Sequence, residues 1–185
     1  MANFGIASVL DIPCGDLTWL LHDPSVLGAA AYTGADVSAV VVERNRVAHE
    51  ALHPSWRFEV VDAVEGPPLA RLLTATPALV LCRHMMYHLP PADNLRALQR
   101  LEASGASYLL LTTHLRSNLN LEPFALAAGH PINLFRRPYC LRDPLRLFPD
   151  NGRDAFLGLW LLPAAYAPSE RHLVPPLMDS ANCME

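Results

Sequence analysis

Residues 9–20 of the chain read VLDIPCGDLTWL, an apolar run that ends in Asp11, turns through proline and glycine, and enters a second apolar segment. This pattern predicts a buried parallel strand that passes into a helix over a tight turn. In open α/β sheets, such turns lie at the carboxyl ends of the strands, where nucleotide-like ligands bind. A turn of this kind also serves as a plain connection between two elements, so its interpretation depends on the rest of the chain.

The composition indicates one globular domain. The chain has 185 residues, of which 51% are hydrophobic and 17% are charged, and this length suffices for a single full core. Its net charge of -4 and its lack of lysine argue against a nucleic-acid partner. The missing lysine also excludes a phosphate-loop lysine and Schiff-base chemistry.

The cysteines and the chain termini bear on the compartment. Cys14, Cys82, Cys140 and Cys183 show no metal-ligand spacing, and we expect no metal site. Two of them lie in apolar segments, which is typical of reduced cytosolic proteins. The amino-terminal residues lack the features of a signal peptide, and no apolar run is long enough to span a membrane. These features predict a soluble, cytoplasmic protein with no membrane partner.

Segments of strand length alternate with segments of helical periodicity. Strands are predicted at residues 7–12, 31–36, 57–62, 78–82 and 107–112, and a closing hairpin is predicted from residues 145–148 and 155–162. The alternation favours an α/β fold with a doubly wound mixed sheet of about seven strands. We expect this sheet to be mostly parallel, with a C-terminal antiparallel hairpin. The domain is predicted to cover residues 1–162, followed by a proline-rich peripheral tail at 163–185.

The helices are predicted from caps and periodicity. A short helix begins near Trp19, and another extends from Pro90 through Leu101. Between them, Ser38 is placed to cap a helix over residues 39–51. The apolar face of this middle helix is expected to comprise Val40, Val41 and Val47. Trp19 and Trp160 are both expected to be core residues rather than platforms for a substrate.

Three of the predicted parallel strands end in an aspartate, namely Asp11, Asp36 and Asp62. Because the carboxyl ends of parallel strands share one edge of the sheet, we expect these side chains to line one rim. Asp36 follows Gly15 by 21 residues, close to the spacing between a glycine turn and a ribose-binding acid. A single strand-end aspartate commonly caps the next helix, but three in succession favour a nucleoside site.

The glycine turn differs from a dinucleotide-binding turn. Only Gly15 is present, and Asp16 follows it where a pyrophosphate would need a positive environment. The turn therefore favours a nucleoside that carries a cationic or zwitterionic arm. A nicotinamide-dependent reductase remains an alternative, disfavoured by this turn.

Ordered motifs carry a family resemblance. Residues 11–19 match D-x-P-C-G-D-x-x-W, residues 32–37 resemble Y-x-G-x-D-[IV], and residues 81–89 resemble L-C-R-D-x-x-x-H-L. With these motifs the chain resembles a bacterial-type subgroup of the class I S-adenosylmethionine-dependent methyltransferases over residues 7–162. The resemblance implies a Rossmann-like fold, S-adenosylmethionine as cofactor, and methyl transfer to an acceptor.

The resemblance also implies cofactor contacts at the methionyl end. The backbone of Pro13, Cys14 and Gly15 would lie against the methionyl part, and Asp11 would help to position it. Arg83 would face the transferred methyl group or the methionyl carboxylate.

At the nucleoside end, the resemblance implies a second group of contacts. Asp36 would hold the ribose hydroxyls, and Val37 would pack on the adenine. Asp62 and Ala63 would reach the amine edge of the adenine.

For catalysis, His88 is the first candidate for a general base, with Arg83 as a second catalytic residue. His88 also precedes a Leu-Pro-Pro stretch and can instead pack at a helix entrance; His84 is a weaker candidate. The acceptor is expected to be a small molecule or a glycan that offers a hydroxyl or a carboxyl group. The oligomeric state cannot be predicted.

Three departures from the family pattern are visible. Ala78 stands where the family has an acid, and His84 stands where it has an aspartate. The helix and small-residue loop that precede the first strand in the family have no counterpart, and we expect the chain to be truncated at its N-terminus. The alternative function is a catalytically impaired methyltransferase fold that binds nucleosides or serves as an interaction module.

Overall fold

A computed structural model describes residues 4–28, 30–117, 120, 129–150 and 154–164. In these ranges, the strands are β1 (Ser8–Asp11), β2 (Ala31–Asp36), β3 (Trp56–Val60), β4 (Ala78–Cys82), β5 (Tyr108–His114), β6 (Arg146–Pro149) and β7 (Ala155–Leu161). The α-helices are α1 (Thr18–Leu21), α2 (Ala39–His49) and α3 (Pro91–Glu102). Short 3-10 turns cover Pro24–Leu27, Leu69–Leu72 and Met86–His88. From residue 165 onward, the predicted tail and Cys183 lie outside the described residues.

The strands form one seven-stranded sheet in the order β3-β2-β1-β4-β5-β7-β6. The five strands from β3 to β5 run parallel, and β7 pairs antiparallel with both β5 and β6. This arrangement confirms the predicted mixed α/β sheet with its antiparallel C-terminal hairpin. Because β1 and β4 lie at its centre, the ends of β1 and β4 adjoin each other at the carboxyl rim.

The central strands are apolar because both of their faces are covered. All five residues of β4 are buried, as expected for a parallel strand between two layers. On one side of the sheet, Leu98 and Leu101 of α3 join the core that contains Leu10 and Val80. On the other side, a second core contains residues of α1 and α2 together with Val9, Leu79 and Phe58.

Helix α2 begins as predicted but turns a different face to the sheet. Ser38 accepts a hydrogen bond from the backbone nitrogen of Val41 (3.4 Å). The predicted apolar face is wrong, because Val40 and Val47 are 79% and 74% exposed. The buried residues are Val42 and Asn45. Asn45 lies inward because its side chain hydrogen-bonds within the glycine turn, a polar contact that hydrophobic periodicity does not reveal.

The two tryptophans differ in burial. Trp160 is 1% exposed and belongs to the core, as predicted, whereas Trp19 is 36% exposed. The prediction that Trp19 is a core residue is therefore wrong. Its ring lies 5.6 Å from the guanidinium carbon of Arg83, a cation–π contact that a surface position allows.

The described cysteines differ in their bonding state. Cys14 and Cys82 are free and buried, as the sequence predicts, whereas Cys140 is disulfide-bonded.

Within the described ranges, no helix combines the length and the apolar character that crossing a bilayer requires. No group of three or more potential metal ligands is found among the same residues.

Candidate functional site

The turn after β1 is joined to both neighbouring strands. The backbone nitrogen of Ile12 donates to Leu81 (2.8 Å), and that of Cys14 donates to Ala35 (2.8 Å). Gly15 adopts a φ of 55°, in the left-handed region that glycine enters without steric cost. The amide of Asn45 donates to the Gly15 carbonyl (2.8 Å). These bonds fix the turn at the carboxyl rim of the sheet.

Asp36 connects this turn to the start of α2. One carboxylate oxygen accepts from the Gly15 nitrogen (3.1 Å) and the other accepts from the Ser38 nitrogen (2.9 Å). The residue is buried, with 8% exposure. Because each carboxylate oxygen has two acceptor sites, Asp36 retains the capacity to accept bonds from a ligand.

Asp11 is fully buried at the end of β1. One oxygen, Oδ2, accepts from the Tyr32 hydroxyl (2.8 Å), while Oδ1 has no hydrogen-bond partner among the described residues. Burial raises the pKa of the Asp11 carboxyl to about 7, although the Tyr32 hydrogen bond and the charge of Arg83 oppose the shift. Asp11 therefore holds a proton over a pH range in which an exposed aspartate is ionised.

This raised pKa predicts a pH-dependent contribution to stability. Between about pH 4 and 7 the native protein retains the Asp11 proton that the unfolded chain releases, so the contribution of Asp11 falls as pH rises. We expect Asp11→Asn to gain stability relative to the wild type through this window. The free energy of unfolding in urea, measured from pH 4.5 to 8, checks this. As an exposed control, Asp143→Asn should keep the pH dependence of the free energy of unfolding seen in the wild type. An identical pH slope in the wild type and Asp11→Asn would contradict the prediction.

A cavity of about 330 Å³ opens beside the turn at the carboxyl ends of β1, β2 and β3. We refer to it as the rim cavity; its lining residues are Ile12, Pro13, Asp36, Val37, Val61, Asp62, Ala63, Val64, Glu65, Met85, Leu89, Asp93 and Arg96. Five of the residues predicted for a cofactor line it: Pro13, Asp36, Val37, Asp62 and Ala63. The other predicted residues, Asp11, Cys14, Gly15, Arg83 and His88, are not among its lining residues.

Helix α3 contributes a wall of the rim cavity that was not predicted from the sequence. Asp93 and Arg96 lie on the first turns of α3, form an ion pair, and line the cavity. The spacing of three residues places them on one helix face. No signal in the sequence indicates that this face meets the loop after β3.

Asp62 caps the loop that forms the far wall of the rim cavity. Its Oδ1 accepts from the backbone nitrogens of Val64 (2.6 Å) and Glu65 (3.2 Å). Arg100 of α3 holds the same loop, because its guanidinium donates to the carbonyls of Ala63 (2.9 Å) and Pro67 (2.6 Å). The loop is thus fixed from both ends.

Arg83 follows β4 and forms an ion pair with Asp150. The guanidinium donates from Nη2 (2.7 Å) and from Nε (3.2 and 3.3 Å) to this carboxylate. Both side chains are largely buried, with 14% and 6% exposure. A charged residue at the end of an apolar strand requires a partner, and the structure supplies it from the β6–β7 connection.

His88 and His84, the two candidate general bases predicted from the sequence, have different surroundings. His88 is exposed at the end of a 3-10 turn, with its ring centroid 4.2 Å from that of Tyr87. His84 lies closer to the ion pair, since its Nε2 is 2.8 Å from an oxygen of Asp150. His84 also adopts a φ of 58°, which is uncommon for a residue other than glycine.

Solved structures share this fold. The chain is similar to the mitomycin 7-O-methyltransferase MmcR, with a TM-score of 0.63 and 17% identity, over 85% of this chain and 49% of that one. It is similar to TnmH, with a TM-score of 0.60 and 18% identity, over 85% of this chain and 51% of that one. A SAM-dependent methyltransferase from Aquifex aeolicus gives a TM-score of 0.57 and 15% identity, over 85% of each chain.

The chain spans about half the length of MmcR and of TnmH. No protein-family model and no curated protein sequence matches it. At identities of 15–18%, the likeness concerns the fold. The chain therefore has the α/β fold seen in S-adenosylmethionine-dependent methyltransferases of known structure.

Proposed function

We propose that this protein binds S-adenosylmethionine in the rim cavity and transfers its methyl group to an acceptor. The observation that carries the proposal is the composition of the cavity wall. Pro13, Asp36 and Asp62 come from the ends of three successive strands, and Val37 and Ala63 follow the second and third of them. The motifs that resemble the methyltransferase family thus converge on one concave site.

The chemistry of the cavity fits the nucleoside end of this cofactor. The free acceptor capacity of Asp36 suits the two hydroxyls of a ribose, and Val37 and Ala63 offer apolar contacts to an adenine. The Asp62 carboxylate would accept a hydrogen bond from the amine edge of the adenine. The volume of about 330 Å³ lies within the ~300–1,000 Å³ range of small-molecule sites.

The charge of the cavity fits a cation better than a pyrophosphate. Its lining includes four carboxylates and one guanidinium, from Asp36, Asp62, Glu65, Asp93 and Arg96. S-adenosylmethionine, when bound, supplies an electrophilic methyl group on a positively charged sulfur. The negative lining favours such a ligand and disfavours a dinucleotide through ordinary electrostatics.

The methionyl end would extend from the rim cavity toward the glycine turn. The backbone of Pro13, Cys14 and Gly15 would lie along it, above the buried Asp11. We assign Arg83 to the methionyl carboxylate, because its Nη1 makes no hydrogen bond within the described part of the chain. Its pairing with Asp150 would hold the guanidinium in place for this contact.

The acceptor that we propose is a small molecule or a glycan that presents an oxygen. MmcR bears the name of an O-methyltransferase, which supports an oxygen acceptor by analogy. The net charge of -4 and the absence of lysine disfavour a nucleic acid.

A cytoplasmic location stays a prediction, favoured by the free thiols of Cys14 and Cys82 and disfavoured by the disulfide of Cys140.

Titration calorimetry on the full chain tests the cofactor. S-adenosylmethionine and S-adenosylhomocysteine should bind, and NAD should not. Transfer of tritium from labelled S-adenosylmethionine to an acceptor would then distinguish an enzyme from a nucleoside-binding module. If neither sulfur compound binds, the proposed function is wrong.

A pair of exposed valines tests where the cofactor binds. Val37 and Val47 are 67% and 74% exposed, and only the former lines the rim cavity. Val37→Asp should weaken S-adenosylhomocysteine binding by about tenfold, since an apolar contact is lost and a charge enters the adenine site. Val47→Asp is the matched control and should bind like the wild type. Equal affinities in the two variants would place the ligand elsewhere.

A further inference from the structure

Three histidines surround Tyr87 next to the rim cavity. The ring of Tyr87 lies 5.6 Å from that of His84, 4.2 Å from that of His88 and 5.7 Å from that of His114. These residues come from the segment after β4 and from the end of β5. They lie at the same carboxyl rim as the glycine turn, and the neighbouring Met85 lines the rim cavity.

Of the three, His84 has a carboxylate partner in the described part of the chain. Its Nε2 lies 2.8 Å from Oδ2 of Asp150. A carboxylate there accepts the proton on Nε2, so the lone pair of the neutral imidazole is on Nδ1. No hydrogen bond reaches Nδ1 of His84 from any described residue. This nitrogen is therefore available to accept a proton.

Asp150 is fixed so that it can orient this imidazole. Two nitrogens of Arg83, Nε and Nη2, donate hydrogen bonds to the same carboxylate, and the Asp150 side chain is 6% exposed. Because Arg83 already holds Asp150, the histidine is not required to neutralise the carboxylate. A nitrogen base oriented by a third group is the arrangement by which proteins activate hydroxyl nucleophiles.

The other two histidines lack this arrangement. His114 accepts a hydrogen bond on Nδ1 from the backbone nitrogen of Ile132 (3.2 Å), and burial lowers its pKa. The Nδ1 lone pair of His114 therefore already accepts a hydrogen bond within the protein. His88 is exposed and has a ring contact with Tyr87 but no carboxylate partner among the described residues.

We propose that His84, oriented by Asp150, is the general base of the methyl transfer, and that the acceptor is a hydroxyl compound. This proposal rests on the proposed function. A carboxylic acid is already ionised at neutral pH and needs no base, whereas an alcohol or a phenol must lose its proton. A base held next to the cofactor site therefore favours a hydroxyl over the carboxyl acceptor that the sequence left open.

The step balances without a further reactant. The acceptor oxygen forms a bond to the methyl carbon as the bond from that carbon to sulfur breaks, and the sulfonium becomes a neutral thioether. The hydroxyl proton moves to Nδ1 of His84, and Asp150 stabilises the resulting imidazolium. Since the His84 side chain is 30% exposed, the proton can leave to solvent. Asp150 acts here as a positioning residue.

Nitrogen-15 NMR on histidine-labelled full chain tests the state of the imidazole without any acceptor. In the neutral form of the wild-type imidazole, we expect His84 to carry its proton on Nε2 and a free lone pair on Nδ1. Asp150→Asn should abolish this tautomer preference. Protonation of Nδ1 in that neutral form, or a His84 signal that Asp150→Asn leaves unchanged, would overturn the assignment.

Pairs of hydroxyl and carboxylate acceptors test whether His84 acts as a general base. Labelled S-adenosylmethionine is offered with benzyl alcohol, phenol and methyl glucoside, and with benzoate and glucuronate as carboxylate counterparts. We expect methylation of hydroxyl probes alone and a loss of about 10²–10⁴-fold in kcat for His84→Gln, with unchanged affinity for S-adenosylhomocysteine. His22→Gln, an exposed control, should match the wild type.

A glycine variant separates chemistry from structure. Because φ is positive at residue 84, His84→Gly fits the backbone, and added imidazole should restore part of its activity. Full activity in His84→Gln, a loss confined to His88→Gln, or methylation of carboxylates alone would contradict the proposal. Cofactor binding without methylation of any hydroxyl probe also counts against it. Absence of cofactor binding would instead refute the proposed function, and the NMR result then decides the state of His84.

Discussion

Asp36→Ala is expected to weaken the binding of S-adenosylmethionine and S-adenosylhomocysteine by about 1–3 kcal/mol, or roughly 5- to 150-fold. The carboxylate has two tasks, since it would hold the ribose hydroxyls and it also accepts from the Gly15 and Ser38 nitrogens. Its removal leaves ribose hydroxyls without a partner and releases the glycine turn. Titration calorimetry measures the change directly.

Two controls separate these tasks. Asp36→Asn retains one acceptor oxygen of similar shape, so we expect an intermediate affinity. Asp143→Ala removes an exposed carboxylate that takes no part in the site and should leave affinity unchanged. Thermal unfolding of each variant shows whether the protein remains folded. A folded Asp36→Ala protein with wild-type affinity would rule out the ribose assignment.

Trp160→Ala is expected to produce the largest loss of stability, about 3–5 kcal/mol. Trp160 is 1% exposed, and its indole nitrogen donates to the carbonyl of Arg142 (2.6 Å). The ring packs in the core on the α3 side of the sheet, with the Phe135 ring centroid 6.0 Å away. Its removal leaves a cavity and deprives the Arg142 carbonyl of the indole donor. For a chain of this size, Tm should fall by roughly 6–20 °C.

Trp19→Ala is the matched comparison. Trp19 is 36% exposed and contacts the guanidinium of Arg83, so its loss should cost about 1 kcal/mol or less. Urea unfolding of the two variants gives the difference. Equal losses would mean that Trp19 packs in the core, as its sequence context suggests, and would contradict the position described for it.

The sheet could be predicted because its strands carry their own signals. The residues of β4 are apolar throughout since both faces are covered, and Asp11 and Asp36 end their strands at the rim. Parallel geometry then brings these ends together without knowledge of any side-chain contact. Pro13, Val37 and Ala63, whose roles the family resemblance implies, follow strand ends and also line the rim cavity.

Other parts of the site depend on contacts between distant segments. Asp150 lies 67 positions from Arg83, and nothing in the local sequence indicates that they pair. Arg96 reaches the rim cavity because α3 lies against the loop that follows β3, an arrangement set by tertiary packing. The buried Asn45 has a similar origin, since its amide bonds to the glycine turn while hydrophobic periodicity favours its valine neighbours.

A crystal structure of the full chain grown with saturating S-adenosylhomocysteine tests whether the rim cavity is the cofactor site. We expect the ribose hydroxyls within hydrogen-bond distance of Asp36 and the adenine against Val37 and Ala63. We also expect the sulfur on the side of the rim cavity that faces Arg83 and His84. A rim cavity without the compound, or the compound bound elsewhere on the chain, would contradict the proposed function.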